Sequence, residues 1–542
     1  MFTKALSQIS KKRFLIRIFI LSIYMLQTPS LWSQLEVKWY ATNDRSEQSY
    51  ARPSIKLDNQ ENIIYVGSNR VVKYNSLGDV LWFREFLGEA YYGSDDLPFD
   101  HLAIDEDNNI YILHNYWNSV FGDSSRRRVF VTKYSSSGHE LWSIEFTPAN
   151  GDYVNNRGAS ISVDTDKVFV SGSLADDVGP KDGFILCLSA LTGVEEWRKT
   201  ASEDMLNCIV WSRLVVDPVG DIYLGGWIGN SKYCILKCTR NGETMWSVIH
   251  DNQTNGHNRL MDMVVSNING VVVAGHGFTT VNVDDAGDVL WAAMPVSNEP
   301  DNITIDRARE ILALDDGSVI VTGFHVESHI SSSDYDVDPF TIKVNANGNI
   351  DWSYGFRANE DENYRQSSNS VAQDIDGDII IGGTDGGPFS FKFFLNKYSK
   401  DGGELIWSFV DESTESPWSE ITSLQISSNS EIYVAGIYSG NNERKFMVKK
   451  YNSLLTSTDL LDDLTLDFKV YPNPSQDGFF NIYTTDVLDY NVTLTSLGGE
   501  KILSGRFFSN ENNFDLGSLP SGCYIITIST SESSVSKRII ID

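Results

Sequence analysis

Lys73-Tyr74-Asn75-Ser76-Leu77-Gly78-Asp79-Val80-Leu81-Trp82 sets a pattern that the chain then repeats. A basic and an aromatic residue close one alternating run, a Gly-containing turn follows, and the next run carries a Trp. Variants end at Trp142, Trp197, Trp246, Trp291, Trp352 and Trp407, spaced by 60, 55, 49, 45, 61 and 55 residues. Upstream of each lies a second motif, in which a turn rich in Asp, Asn and Gly joins two alternating runs. Asn62-Ile63-Ile64-Tyr65-Val66-Gly67 and Glu431-Ile432-Tyr433-Val434-Ala435-Gly436 are examples. Eight copies occur, near Asp58, Asp105, Asp164, Asp217, Asn267, Asp315, Asp374 and Ser427.

Each unit thus offers four short strands. β-Branched and aromatic content, period-two alternation and Gly punctuation favour strands over helices throughout. Units of this size repeated along a chain form modular arrays in which no unit buries its faces alone. The expected fold is therefore all-β: an eight-bladed β-propeller over residues 34–455, followed by a small C-terminal β-sandwich. The count leaves one strand over. The eighth unit has no Trp after Lys450-Tyr451-Asn452-Ser453, whereas Glu36-Val37-Lys38-Trp39-Tyr40 stands near the start with no unit of its own. Residues 36–41 are expected to supply the missing outer strand, with Trp39 equivalent to Trp82, covering an edge that would otherwise template aggregation.

The repeats resemble two related propeller families, the SBBP-type repeat and the quinoprotein-like repeat, over about residues 35–455. Leu188-Ser189-Ala190-Leu191-Thr192-Gly193-Val194-Glu195-Glu196-Trp197 is similar to the quinoprotein Trp motif. Asp182-Gly183-Phe184-Ile185-Leu186 and Asp338-Pro339-Phe340-Thr341-Ile342-Lys343 resemble the other. The resemblance implies architecture and little about activity, because propellers host many unrelated functions.

Both ends of the chain read as addresses. Residues 1–33 carry Lys4, Lys11, Lys12, Arg13 and Arg17 with no acid, then an apolar run from Ile18 to Leu26, as a secretory signal peptide does. No later stretch suggests a transmembrane segment in the mature chain. Residues 456–466 read as a linker. From residue 467 to 542 short strands alternate with Gly and Pro turns, through Val470-Tyr471-Pro472-Asn473-Pro474-Ser475, Gly478 and Ser521-Gly522-Cys523-Tyr524, to a terminal run beginning at Lys537. This segment resembles the type A C-terminal sorting domain of the Bacteroidetes type IX secretion system. Pro472, Asn473, Pro474, Gly478, Gly522, Tyr524 and Lys537 carry the likeness; Cys523 stands where that family usually has an aliphatic residue. The resemblance implies export, delivery to the cell surface or the medium, and two partners: the type IX secretion machinery and its sortase.

Charge narrows the remaining choices. Net charge is -30 among 542 residues, so nucleic acid and anionic membrane are poor partners. Five scattered cysteines, Cys187, Cys208, Cys234, Cys238 and Cys523, are too few for a disulfide framework.

In a four-stranded meander the first and third turns share one face, and the second turns and inter-blade connections share the other. The latter segments are long, as in Asn115 to Arg128 and Phe324 to Asp338. Long loops on a rigid frame usually carry function. That face provides the ligand-binding candidates Tyr116, Trp117, Trp227 and Tyr335, suited to sugars or protein surfaces. Aligned on Tyr65, Tyr111, Phe169, Tyr223, Val272, Ile320, Ile380 and Tyr433, the residue three further on is Gly in six units but Ser68 and His114 in the first two. His114 is expected near the channel mouth, as a ligand contact or as a satisfied structural histidine.

Asp334, Asp336 and Asp338 alternate in one loop and could curl around Ca²⁺, the one cofactor the sequence suggests. Asp374-Ile375-Asp376-Gly377-Asp378 is a second, turn-like candidate. His325 and His329 lie too far apart on an extended strand to share zinc. No nucleophile elbow, P-loop or Rossmann turn occurs. The expected function is therefore binding of an extracellular polysaccharide or protein. The alternatives are an endoglucanase-like hydrolase using loop carboxylates and, more remotely, a quinoprotein oxidoreductase; the adjacent cysteine pair of many quinoprotein dehydrogenases is absent.

Overall fold

The computed structural model describes residues 37–44, 52–67, 69–86, 100–117, 127–148, 155–176, 179–204, 208–228, 232–251, 259–295, 306–328, 335–355, 366–386, 391–411, 418–440, 443–451, 468–471, 475, 478–484, 490–496, 501–507, 511–516, 519–529 and 534–541. The proposed signal peptide, the linker and Pro472, Asn473 and Pro474 lie outside them. Every described element is a strand except one turn of 3-10 helix, Ala201–Asp204. No described helix is long and apolar enough to cross a membrane. The chain divides into two compact units, Met1–Ser453 and Leu454–Asp542.

The first unit contains eight four-stranded antiparallel sheets among the described residues. Sheets 1 to 7 are each continuous in sequence, spanning residues 54–85, 102–146, 157–200, 210–251, 260–293, 307–355 and 367–411. Sheet 8 takes Trp418–Ile426, Ile432–Gly440 and Glu443–Tyr451 from the end of the unit and Val37–Asp44 from its beginning. Each sheet touches the next through its first strand, and the first strands of sheets 8 and 1 touch as well. This cyclic succession is β-propeller-like. The strands bury both faces against neighbouring sheets, which is why Ile63–Gly67 and Val271–Gly275 are buried at every position.

Register explains the repeated motif. Lys73 stands opposite Trp82, Lys133 opposite Trp142, Lys237 opposite Trp246, Lys343 opposite Trp352 and Lys397 opposite Trp407. Lys450 stands opposite Trp39. Trp82 and Lys73 both donate to the carbonyl of Ser136 in sheet 2, at 3.0 and 3.2 Å. Trp142 and Lys133 do the same to Ala190 in sheet 3, at 3.1 and 2.9 Å. The turn glycine just beyond the accepting carbonyl lies under the indole. A Cβ on Gly138 would come within 2.5 Å of Trp82, and one on Gly193 within 2.8 Å of Trp142. In sheets 1 and 2 Lys, Gly and Trp together latch the sheet to its successor; in sheets 3 and 5 Cys187 and Asn282 stand opposite the Trp instead.

Two expectations are corrected. Ile64, not Tyr65, faces Lys73 and so matches Tyr111, which faces Lys133. The first unit therefore has Gly67 at the glycine position rather than Ser68, and His114 is the single exception among the eight. Glycine is required there because the carbonyl of the first strand crowds it: a Cβ on Gly226 would lie 1.9 Å from Val210 O, and one on Gly323 1.9 Å from Arg307 O. The segments read as long loops are also shorter, because strands run on into them. Ile110–Trp117 pairs with Arg127–Tyr134, and Val319–Ser328 with Tyr335–Val344.

The second unit has a three-stranded sheet of Phe468–Tyr471, Phe479–Thr484 and Glu511–Asp515. Its four-stranded sheet comprises Tyr490–Ser496, Lys501–Phe507, Gly522–Ser529 and Ser534–Ile541. Phe480, Ile482 and Phe514 from one sheet share a core with Val492, Leu494, Ile526, Ile528 and Ile539 from the other. Gly478 and Tyr524 are buried and Lys537 is half-buried; the Tyr524 hydroxyl donates to Pro520 O at 2.7 Å.

Candidate functional site: an axial polar cavity

Six of the eight first strands carry an irregularity at one shared position. It falls between Gly158 and Ser160, Trp211 and Arg213, Leu260 and Asp262, Ala308 and Glu310, Ser368 and Ser370, and Ile421 and Ser423. An extra residue there bends the strand and re-aims the side chain that follows. The re-aimed groups bind the backbone of the next sheet. Asp262 accepts the amide of Ile311 at 2.9 Å, Glu310 that of Val371 at 3.1 Å, Ser370 that of Leu424 at 3.0 Å, and Ser423 that of Ile55 at 3.2 Å.

These strands enclose a cavity of about 280 Å³ lined by residues from all eight sheets or the segments that lead into them, which sets it on the axis of the ring. Its charged side chains are Arg52, Lys56, Arg213, Arg309, Asp100, Asp262 and Glu310. Arg213 Nε donates to Asp262 at 2.7 Å, and Lys56 lies 3.3 Å from Asp100. Arg52 reaches Glu420 at 2.5 Å, and Asn369 donates to the same oxygen at 3.3 Å. Burial pushes the Glu310 carboxyl up to about 7, helped by the charge of Asp262 and opposed by bonds from Ser370 and Val371. Burial also raises Asp262 despite Arg213 beside it. Beside this wall, burial drives His101 down to about 3, so its ring is neutral.

The structure disperses the residues selected from sequence. His114 is 2% exposed, lies between Phe86 and Phe130 at 4.6 and 5.3 Å between ring centres, and its Nε2 meets Thr132 Oγ1 at 3.1 Å. It does not line the axial cavity. Trp227 is buried with Val210 and Met261, and Arg259 lies 5.6 Å from its ring centre. Tyr116 is half-buried with Arg128 4.8 Å from its ring centre. Trp117 and Tyr335 occupy strand ends, but their side chains lie outside the described residues. So do all of Asp334 and the side chain of Asp336. Asp338 is half-buried on an extended strand opposite His325, not in a curled loop.

The Asp374 turn is already satisfied. Lys397 Nζ lies 2.7 Å from Asp374 and 3.0 Å from Asp378, while Asp374 Oδ1 accepts the amides of Asp376 and Asp378. Among the described residues no group of three or more His, Cys, Asp or Glu side chains is arranged to hold a metal.

Sequence reading missed the axial ring. Its signal is a polar residue in register within apolar strands, as Ser160, Arg213, Asp262, Glu310, Ser370 and Ser423 are.

Residues 469–542 match the family model described as Secretion system C-terminal sorting domain. The chain carries a type IX sorting domain. It marks a protein secreted by that system to the cell surface or the extracellular space, and its working partner there is the type IX secretion machinery. No curated protein matches the chain. Among solved structures it is similar to Sqt1 of Saccharomyces cerevisiae, at 8% identity over 74% of this chain and 96% of that one, with a TM-score of 0.44. It is also similar to the WD40 domain of SCAP from fission yeast, at 9% identity over 77% and 98%, TM-score 0.42. A third likeness is to the periplasmic gluconolactonase of Pseudomonas aeruginosa, at 13% identity over 64% and 93%, TM-score 0.36.

Proposed function

We propose that the mature chain is an eight-bladed β-propeller followed by a C-terminal β-sandwich. Residues 34–455 form the ring, 456–466 the linker and 467–542 the sandwich. In this reading the propeller binds an extracellular polysaccharide or protein through the face of its second turns and inter-blade connections. The sorting domain brings it to the cell surface and is there a substrate of the type IX sortase.

The supporting observation is the difference between the two ends of the sheets. At one end the turns are short and stereotyped, closed by a side-chain oxygen that accepts two amides of its own turn, as Asp58, Asn75, Asp217 and Asn345 do. Such turns serve geometry. At the other end hairpin lengths differ from sheet to sheet: one ends at Gly67 and Arg70, others at Trp117 and Arg127 or at Ser328 and Tyr335. Variation on a uniform frame is where recognition is placed, and Tyr116 with Arg128 is a ready aromatic and cationic platform there.

A glycan array and a reducing-sugar assay on the mature protein test this. Saturable binding without new reducing ends, weakened by Tyr116→Ala, supports a binding module. Turnover abolished by replacing a carboxylate of that face supports the hydrolase instead.

A further inference from the structure

We infer that Cys208 and Cys234 are joined by a disulfide when the protein is exported, a covalent tie within the fourth sheet. The inference rests on the secretion that the sorting domain marks and not on what the outer face binds.

A glycine brings the two sulfurs together. Gly226 stands opposite Cys234 where the second and third strands of sheet 4, Ile222–Ile228 and Lys232–Cys238, pair. Directly opposed side chains leave the same face of a sheet, with Cβ atoms about 4.5–5.5 Å apart. Gly226 has no side chain, and Cys208 fills the space: a Cβ on Gly226 would come within 2.9 Å of its sulfur. Cys208 lies just before the first strand, Val210–Val216, and its backbone is fixed there, the carbonyl accepting the Gly183 amide at 2.9 Å. The two thiols meet over Gly226, hydrogen-bonded to one another. Both are buried in one core cluster with Ile185, Trp211 and Leu236. Cys187 and Cys238 share that cluster. Cys238 sits four residues beyond Cys234 on the same strand, roughly 13 Å away, and Cys187 belongs to sheet 3, opposite Trp197.

The thiolate is the attacking species in disulfide exchange. Burial, reinforced by the Cys234 thiol, pushes the Cys208 thiol well above its ordinary range, so in the finished fold the pair is inert. The bond therefore forms before sheet 4 closes, while the exported chain is in an oxidising compartment. Each thiol gives up its proton, an S–S bond forms between Cys208 Sγ and Cys234 Sγ, and two electrons pass to an accepting disulfide. That disulfide breaks and takes up both protons, leaving as two thiols.

Peptide mapping of the protein recovered from its secreting cell tests the pair. Alkylated with iodoacetamide in urea and digested without reduction, it should yield one peptide pair joined through Cys208 and Cys234, about 2 Da lighter than the two free peptides together. Cys187 and Cys238 should be alkylated in the same digest. The link should survive dithiothreitol in the folded protein and be lost to the same reductant in urea. Cys208→Ser should abolish it and leave Cys234 alkylated. Alkylation of Cys208 and Cys234 without prior reduction, a link through Cys187 or Cys238 instead, or a bond reduced as readily in the folded protein as in urea would overturn the assignment.

Discussion

The ammonium of Lys450 donates to the carbonyl of Ser76 at 3.0 Å, joining residues 374 apart in the chain. It repeats the link from Lys73 to Ser136, and Lys450 also lies 2.7 Å from Glu431. The contact between the eighth sheet and the first therefore shares the lysine-to-carbonyl link that joins the first sheet to the second. Lys450→Met should lower stability by about 1–3 kcal/mol, and Lys133→Met by a similar amount, because each removes a buried ammonium from its carbonyl and carboxylate partners. Trp39→Ala should cost about as much as Trp246→Ala, roughly 3–5 kcal/mol. Thermal melting of the four variants is the check; an unshifted Trp39→Ala would mean that the N-terminal strand adds nothing to the seam.

Gly242 has φ +85°, and a Cβ there would lie 2.9 Å from the Trp197 ring. Gly242→Ala should destabilise by about 1–3 kcal/mol from backbone strain and contact with the indole. Gly402, whose nearest neighbour would be 3.7 Å from an added Cβ, should accept Ala within about 0.5 kcal/mol. Urea unfolding of the two variants compares them directly.

Asp411, in the outer strand of sheet 7, takes Lys449 Nζ at 2.5 Å and the Tyr451 hydroxyl at 2.7 Å, both from sheet 8. All three are buried. Asp411→Ala strands a cation in the interior and is expected to cost about 3–5 kcal/mol. Replacing Asp411 and Lys449 together by Leu and Met should recover much of that loss, which a double-mutant cycle in denaturant would measure.

Glu310 gives a pH dependence of defined sign. Its folded value of about 7 exceeds its ordinary 4.5, so the folded state holds the proton more tightly than the unfolded chain. The associated stability is present below pH 4.5 and declines as pH rises to about 7. Glu310→Gln, which keeps an acceptor for Val371, should flatten this segment of the curve and gain roughly 1–3 kcal/mol at pH 8. Denaturation midpoints of both proteins at pH 5 and 8 suffice; a parallel displacement at the two pH values would contradict the assignment.

His114→Gly restores the residue found in the other seven sheets, yet it should destabilise by about 2–4 kcal/mol. The imidazole fills the space between Phe86 and Phe130, and its removal leaves a cavity. Binding by the outer face should be unchanged in the folded fraction. Lost binding at full stability would make His114 a contact residue after all.

The Lys and Trp positions were legible because each has one partner at a fixed distance in sequence. What each latch grips was not, since the accepting carbonyls of Ser136 and Ala190 belong to the following unit. Register failed in the first unit for a physical reason. Ile63–Gly67 is buried on both faces, so alternation carries no information about which residue faces which partner, and Tyr65 was matched to Tyr111 one position out. The axial ring was hidden by the bulges, which break period two where Asp262 and Glu310 turn inward. Trp227 was read as a loop aromatic because sequence does not disclose that Val210 and Met261 cover it.

The pairing of Val37–Asp44 with Glu443–Tyr451 also bears on the order of folding. Its partners are separated by some four hundred residues, so the entropy of closing that loop must be met before the contact returns any stability. Sheets 1 to 7 can each zip locally as the chain emerges, whereas the eighth stays one strand short until both ends of the array meet. During that interval the exposed edge of Glu443–Tyr451 is the part of the nascent ring most open to a wrong partner, including the same strand of another copy.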